Sequence, residues 1–413
     1  MSRLSELAAR LEDELLNSVV PFWVQHSVDR ENGGFFNSLD RAGNCFDPLK
    51  STAMQWRNVY MFSALYNSEY KRDEFLELAL HGFRFCEKLR EPDGNYIPIC
   101  DAAGNPAFRM GARRGGGGGG AGLMKAMTCI YAGCACAELF RATGEERFRA
   151  EAQSCFNCIT SALARSEQNS PDSRFPAMRV RGGYMHLCHL CRTMIVNGCE
   201  FADGRVNATL RKTFDVLPTF FCSEVGRWLE RTPVSGEYRL DNSFFRTVIP
   251  GHDFETMWFL AQGAELAGEQ KLLAEIPEWT RRIYSYAHDS EFGGLYYFMD
   301  ALDKPMFDGM DMTKGWWTHN EAMLAAAYSY RISGDAWFLR MFDEVDEWST
   351  EHFRDPEFGE WYGVVRFDGS VRNGFKGSLS KAFFHVPRTL FNCIRVFREA
   401  DAANAGTTSA RAE

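Results

Sequence analysis

Five stretches of the chain combine residues able to move protons. In Ile249-Pro250-Gly251-His252-Asp253-Phe254-Glu255, a Pro-Gly break precedes a helical pattern, so His252 sits near a helix start with Glu255 one turn further on. The bland function of such a stretch is capping: Asp253 can cap, and an acid is favoured in the first turn. Gly315-Trp316-Trp317-Thr318-His319-Asn320-Glu321 opens a second helix. Burial accounts for tryptophans there, but less readily for His319 and Glu321. In Phe383-Phe384-His385-Val386-Pro387-Arg388, a histidine lies among aromatics with an arginine three residues later. Gln55-Trp56-Arg57-Asn58-Val59-Tyr60 puts Arg57 inside an aromatic helix, where a buried guanidinium needs a partner. Tyr184-Met185-His186 begins a fifth helix.

Imidazole titrates near neutral pH, so histidines gathered with Arg, Glu and Trp suit proton transfer. Neither a Gly-x-Ser-x-Gly elbow nor a His-Glu-x-x-His zinc motif is present in the sequence. Histidine, arginine, glutamate and tryptophan without a metal or nucleophile motif point to a polar, uncharged substrate such as a sugar. A pair of carboxylates, Glu255 and Glu321, leaves hydrolysis of a glycosidic bond as a rival.

The elements that position these residues follow from periodicity. Apolar residues at helical spacing predict twelve helices, at about 4–19, 53–69, 73–90, 123–142, 145–164, 184–198, 206–222, 253–267, 270–287, 318–333, 336–352 and 380–399. Gly-acid turns (Gly144-Glu145, Gly268-Glu269, Gly334-Asp335) join helices in pairs. Between the pairs lie glycines followed by aromatics, as in Gly33-Gly34-Phe35-Phe36, Gly94-Asn95-Tyr96, Gly293-Gly294-Leu295-Tyr296 and Gly359-Glu360-Trp361, which read as short hairpins. A repeat of about 70 residues means that each unit buries its neighbour's apolar face. The expected fold is all-α: an (α/α)6 barrel, a toroid of six helical hairpins with short β-hairpin loops at one end. Residues 1–402 form one domain, and 403–413 are expected to be a disordered tail. The five chemical stretches fall at the starts of helices two, six, eight, ten and twelve. Alternate helices form the inner ring, so this shared phase predicts one cavity at one end.

Composition narrows the partners. With 46 basic and 55 acidic residues the net charge is −9, which disfavours nucleic-acid binding. No apolar run is long enough for a membrane span, and the N-terminus does not read as an export signal. Thirteen cysteines in such a chain are expected to be reduced core thiols of a cytoplasmic protein. Two C-x2-C pairs, Cys155/Cys158 and Cys188/Cys191, raise zinc as an alternative, but both lie in helical patterns without knuckle turns. The glycine run Gly115–Gly120 lacks a phosphate-loop signature and reads as a loop at the rim.

Taken in order, FWVQHSVDRENGGFF, MQWRNVYMF, FRATGEERF, IPGHDFETMWFL, EFGGLYYFMDA, KGWWTHNEAM, FRDPEFGEWYGVV and FFHVPR resemble the N-acylglucosamine 2-epimerase family, called renin-binding protein in mammals. The resemblance runs from residue 22 to 388. It implies an (α/α)6 barrel and interconversion of N-acetylglucosamine and N-acetylmannosamine without a consumed cofactor or metal. Nucleotides such as ATP are effectors for some members, and the resemblance implies a homodimer. His252 and His385 carry over as the acid/base pair. Arg57, Glu255, Trp317, His319, Glu321 and Arg388 carry over as substrate-binding residues. His186 is closer to the cellobiose 2-epimerases and mannose isomerases, so an unacylated sugar is the alternative substrate, and aldose–ketose isomerisation the alternative outcome. A member that only binds partners is a further alternative. On chemical grounds Arg57, permanently cationic, is expected to stabilise the enediolate oxygen, and Glu255, one turn from His252, is expected to orient that imidazole. Family members carry an aromatic-Ser-acid stretch at the start of the fourth helix. Here Met127-Thr128-Cys129 stands in that place, so a tyrosine or phenylalanine and a carboxylate are expected to be missing from the pocket wall.

Overall fold

The computed structural model describes residues 2–107, 121–168, 176–306 and 311–410. The glycine run and the last three residues lie outside the described residues.

The first helix starts on Ser2, whose Oγ accepts the Ser5 N–H at 3.1 Å. It runs through α1 (Arg3–Glu14), a π-helical turn (Leu15–Val19) and α2 (Val20–His26). Leu4, Ala8, Leu11, Leu15 and Val19 are its buried stripe. There follow α3 (Thr52–Tyr66), α4 (Asp73–Glu87), α5 (Ala121–Thr143), α6 (Glu146–Gln168), α7 (Arg181–Val196), α8 (Arg205–Val216), α9 (Pro250–Ala267), α10 (Gln270–Ala287), α11 (Trp316–Ser333), α12 (Trp337–His352) and α13 (His385–Ala410). Counting α1 and α2 as one bent helix, the described residues hold the twelve that the spacing predicts. α13 continues past residue 402, where alanines favour helix.

Burial separates two rings. α11 buries fourteen of its 18 residues, and outer α10 buries six of 18, at positions 273, 276, 280, 283, 284 and 287. An element apolar on all sides must be enclosed, and one with a single apolar stripe faces water on the other side. α3, α5, α7, α9, α11 and α13 pack in that order as the inner ring, each against its outer partner. The ring closes where Asn58 of α3 accepts the Phe383 N–H at 3.0 Å, beside the Phe62 and Phe383 rings, whose centroids lie 4.6 Å apart in a tilted pair. This is the expected (α/α)6 barrel.

Four inner helices enter from a short strand. Lys50–Ser51 precedes α3, Met178–Val180 precedes α7, Thr247–Val248 precedes α9 and Thr313–Gly315 precedes α11. Each pairs antiparallel with a strand following the matching outer helix: Ile99–Cys100, Arg231–Pro233, Met299–Asp300 and Val364–Arg366. The ladders close each helical hairpin and fix the inner N-termini at one end of the barrel. The glycine-aromatic loops are hairpins as expected, with bridges Val28–Phe35, Arg90–Tyr96, His288–Leu295 and Arg354–Trp361.

Three of these loops are tied down by buried lysines, which the spacing of apolar residues does not reveal. Lys50, Lys314 and Lys376 are fully buried, and their ammonium groups meet Asp29 at 2.7 Å, Asp289 at 2.8 Å and Asp355 at 3.0 Å. Each also bonds the carbonyl of a loop glycine: Gly33, Gly293 or Gly359. Buried charge is tolerated because it is paired and hydrogen-bonded. No helix among the described residues is long and apolar enough to cross a membrane.

Candidate active site

A cavity of about 340 Å³ opens at the end where the inner helices begin. Each inner helix contributes to its wall: Arg57 from α3, Tyr131 from α5, His186 from α7, His252 and Glu255 from α9, Trp317 from α11 and His385 from α13. The helix N-termini point their partial positive charge toward this end, which favours an oxygen that becomes negative there.

His252 and His385 face the same space. The Trp317 indole lies 5.2 Å from the first imidazole and 5.6 Å from the second, centroid to centroid. Each ring is held from behind by a carboxylate. His385 Nδ1 is 2.7 Å from Glu321 Oε1, and His252 Nδ1 is 3.0 Å from Glu230 Oε2. A carboxylate accepts the Nδ1 proton and leaves Nε2 of each ring for the cavity.

The two environments differ in charge. Burial opposes a proton on His252, but the Glu230 carboxylate more than offsets this, and its pKa lies above the ordinary imidazole value. Burial, with the Arg388 and Arg57 guanidiniums, holds His385 well below that value. Pushed apart in this way, the pair favours a proton on His252 and disfavours one on His385, which suits an acid facing a base.

Arg57 brings a cation into the cavity wall from α3. Its guanidinium lies 4.2 Å above the Tyr131 ring and 4.7 Å from Phe384, donates to the Tyr131 hydroxyl, and comes within 3.4 Å of His385 Nε2. His186 donates from Nδ1 to the Gly182 carbonyl at 2.7 Å, and its Nε2 is 3.2 Å from the Tyr131 hydroxyl and 3.8 Å from Glu255. Burial pushes its pKa down to about 4, so the ring is neutral and polar.

Four expectations change. His319 does not reach the cavity. Two residues along a helix turn the side chain by roughly 200°, so His319 points away from the face shared by Trp317 and Glu321. Its Nδ1 donates to the Gly315 carbonyl at 2.9 Å, its Nε2 accepts the Leu295 N–H at 3.0 Å, and its ring stacks on Trp348. Gln55, the fourth residue of α3 as His319 is of α11, likewise accepts the Phe35 N–H at 2.7 Å. Both receive the amide that follows a glycine pair. At Gly294 an added Cβ would come within 2.9 Å of His319 Nε2, and φ is +68°, so a side chain there is excluded twice over.

Glu321 and Arg388 lie one layer beneath the cavity rather than in its wall. One Arg388 nitrogen donates to Glu255 at 2.7 Å and to Glu321 at 2.6 Å, so the residue acts through its partners. Third, His252 is oriented by Glu230, not by Glu255. Glu230 comes from the segment between α8 and α9, where no helical spacing links it to His252 in sequence. Arg181 pairs with Glu230 and with Asp253, and Asp253 accepts from Tyr286 at 2.7 Å. Burial, only partly relieved by Arg181, pushes Asp253 up to about 6. Fourth, the wall does contain a tyrosine. Tyr131 lies one turn beyond Met127-Thr128-Cys129, and the helical offset of four from Met127 was the available signal.

Glu255, Glu321 and His385 are close enough to share an ion. The Arg388 guanidinium already lies among them, 3.2 Å from His385 Nδ1 and bonded to both carboxylates, and a second cation at that point meets its charge. The same geometry disfavours glycosidic hydrolysis, because the two carboxylates share one guanidinium nitrogen instead of flanking a bond across the cavity. The C-x2-C pairs do not converge: Cys158 points to Asn95 and Cys188 to the Phe259 carbonyl.

The chain matches the N-acylglucosamine 2-epimerase family over residues 34–111 and 121–388. It is 33% identical over 398 residues to the N-acylglucosamine 2-epimerase of Bos taurus, covering 92% of this chain and 88% of the relative. Among solved structures, the cellobiose 2-epimerase of Bacillus thermoamylovorans superposes with a TM-score of 0.78 at 18% identity, covering 95% of this chain and 99% of that one. A D-mannose isomerase superposes with the same TM-score, 0.78, at 16% identity, covering 94% and 97%. These two likenesses establish the fold.

Proposed function

Because the chain belongs to the N-acylglucosamine 2-epimerase family, we propose that it interconverts N-acetylglucosamine and N-acetylmannosamine through proton transfer at C2 by His385 and His252. The protein is an enzyme, an isomerase acting on sugars.

The observation that supports the mechanism is the pair of imidazoles held against the same indole, one with its pKa raised and the other with its pKa lowered. The C2 hydrogen becomes acidic only in the open-chain aldehyde. Neutral His385 takes that proton on Nε2, and negative charge moves to the C1 oxygen. Arg57, permanently cationic and without a carboxylate partner among the described residues, stabilises that oxygen. His252 then delivers its Nε2 proton to the other face of C2, which inverts the centre. In the reverse direction the roles exchange, so the enzyme must trade protons with solvent between turnovers. Glu321 and Glu230 are positioning residues, and Trp317 is the floor against which the sugar's apolar face rests. His186 and Glu255 offer hydrogen bonds to sugar hydroxyls.

One feature supports a wider reading of the protein's setting. The thirteen cysteines are unpaired, which fits a reducing compartment such as the cytoplasm. On this reading no nucleotide is consumed, a nucleotide acts only as an effector, and the working form is a pair of copies as in the family resemblance.

The test is turnover in deuterated water followed by proton NMR. N-acetylmannosamine formed from N-acetylglucosamine is expected to carry solvent deuterium at C2. Replacing either His252 or His385 by Ala is expected to lower turnover by about 10²–10⁴-fold. Product that retains the original C2 hydrogen sinks the two-base reading. A ketose product points to reprotonation at C1, and conversion of cellobiose or mannose alone points to an unacylated substrate.

A further inference from the structure

A second cavity, of about 280 Å³, lies at the opposite end of the barrel. It is lined where the inner helices finish: Asn67 after α3, Arg141 in the last turn of α5, Arg192 near the end of α7, Gln262 late in α9 and Arg395 in α13. No residue of the active-site wall takes part in it.

Its charged groups divide into engaged and free. Arg331, at the same end, is taken by Glu265 and Glu399. Glu69 is held by Arg398, and Glu138 accepts from Asn67 and Asn197. Arg141, Arg192 and Arg395 have no hydrogen bond or ion pair among the described residues, so three guanidinium forks face one opening. Arginines near helix C-termini also offset the dipole, so their charge by itself assigns no ligand.

The second observation lies deeper. His189, one turn along α7 from His186, is 6% exposed, and neither ring nitrogen has a partner among the described residues. Its ring stacks on Phe259 and meets Tyr60 and Trp258 edge-on. The Oε1 of buried Gln262 is likewise unpartnered, while its amide donates to Tyr328 at 2.6 Å. A buried imidazole needs both a donor and an acceptor, and a buried amide oxygen needs a donor. A bare oxyanion cannot supply the donors. Hydroxyl groups supply both.

We propose that this far mouth is a second binding site, for a small polyhydroxylated anion: a sugar-derived molecule bearing a carboxylate or a phosphate. The oxyanion meets the guanidinium forks, which match carboxylate and phosphate geometry. Hydroxyls satisfy His189 and Gln262, and the aromatic rings receive the apolar face of the carbon skeleton. The volume is at the lower edge of the roughly 300–1,000 Å³ usual for small-molecule sites, which suits a ligand of monosaccharide size. The site and the proposal stand whichever sugar the active site epimerises.

Calorimetric titration of the full chain with glucuronate and with glucose 6-phosphate tests this, with neutral glucose as control. Saturable binding of at least one anion is expected, and the one that binds identifies the anionic group. Affinity is expected to fall at least tenfold in the double variant R192Q/R395Q, with basal epimerase turnover unchanged. Binding is expected to survive R57A, which alters only the active-site end. If the double variant does not fold, R395Q alone, at an exposed position, is expected to weaken binding at least threefold. The proposal is overturned by any of four results: no saturable binding of either anion, equal binding of glucose, binding undiminished in the arginine variants, or binding lost in R57A.

Discussion

Replacing Glu230 by Gln removes one negative charge from behind His252 and keeps the shape and the acceptor oxygen. At an effective dielectric constant of about 20, opposite charges 3.0 Å apart attract by about 5.5 kcal/mol. That is an upper bound, because Arg181 on the far side of the same carboxylate cancels part of its field at the imidazole. A neighbouring opposite charge usually moves a pKa by about 1–3, or ~1.4–4 kcal/mol. His252 is raised only because this attraction overcomes burial, so in E230Q its pKa falls below the ordinary imidazole value. The sign follows. The proton donor must be charged, so the alkaline limb of the kcat profile moves to lower pH. At a fixed pH above that limb, turnover falls about tenfold for every pH unit the limb travels. The acid limb, set by the neutral base His385, stays in place. The assay is a pH series of C2 exchange in deuterated buffer, with the His252 ring followed by NMR in parallel. An E230Q enzyme whose alkaline limb and His252 titration both stay where they are in the parent would refute the assignment of Glu230.

Three further outcomes follow from the geometry. His319→Gln is expected to keep near-parental turnover, because glutamine already performs the equivalent task at position 55, whereas His319→Ala leaves the Leu295 N–H unpaired and costs about 1–3 kcal/mol in urea unfolding. Arg57→Lys is expected to lower kcat by about 10²–10³-fold with a smaller effect on KM, since a point charge does not reproduce the fork at the developing oxygen, and a loss confined to KM would refute that role. Stability is expected to fall as pH drops below about 6.5, because burial holds His186 down to about 4 and His319 down to about 3, so the unfolded chain takes up protons first. Urea midpoints measured from pH 7 to pH 4 check this, and H319Q is expected to flatten the slope.

Periodicity, which needs only neighbours along the chain, was enough for the twelve helices, the two rings and the end at which chemistry gathers. A residue such as His252 or Trp317 announces itself because an inner helix is apolar around its whole circumference, and polar groups at its first turn have no structural reason to recur. It was the family resemblance, not periodicity, that put His319 in the pocket. Helix phase put it opposite Trp317, but only the presence of the Gly293-Gly294 loop against α11 shows what that side is for. Glu230 was out of reach altogether. It lies 22 residues from His252 along the chain, and nothing in its surroundings marks it before the strand at Arg231–Pro233 brings it under the imidazole. The buried lysines at 50, 314 and 376 were hidden for a related reason: each looks like an ordinary surface charge until its aspartate, 21 or 25 residues earlier in the chain, folds over it. One-dimensional spacing therefore determined which elements exist and which faces turn inward, since both follow from helical pitch and the removal of apolar surface from water. Which imidazole holds its proton more tightly and which less was decided only by the tertiary structure, because those shifts depend on carboxylates and guanidiniums that distant segments bring within about 3 Å.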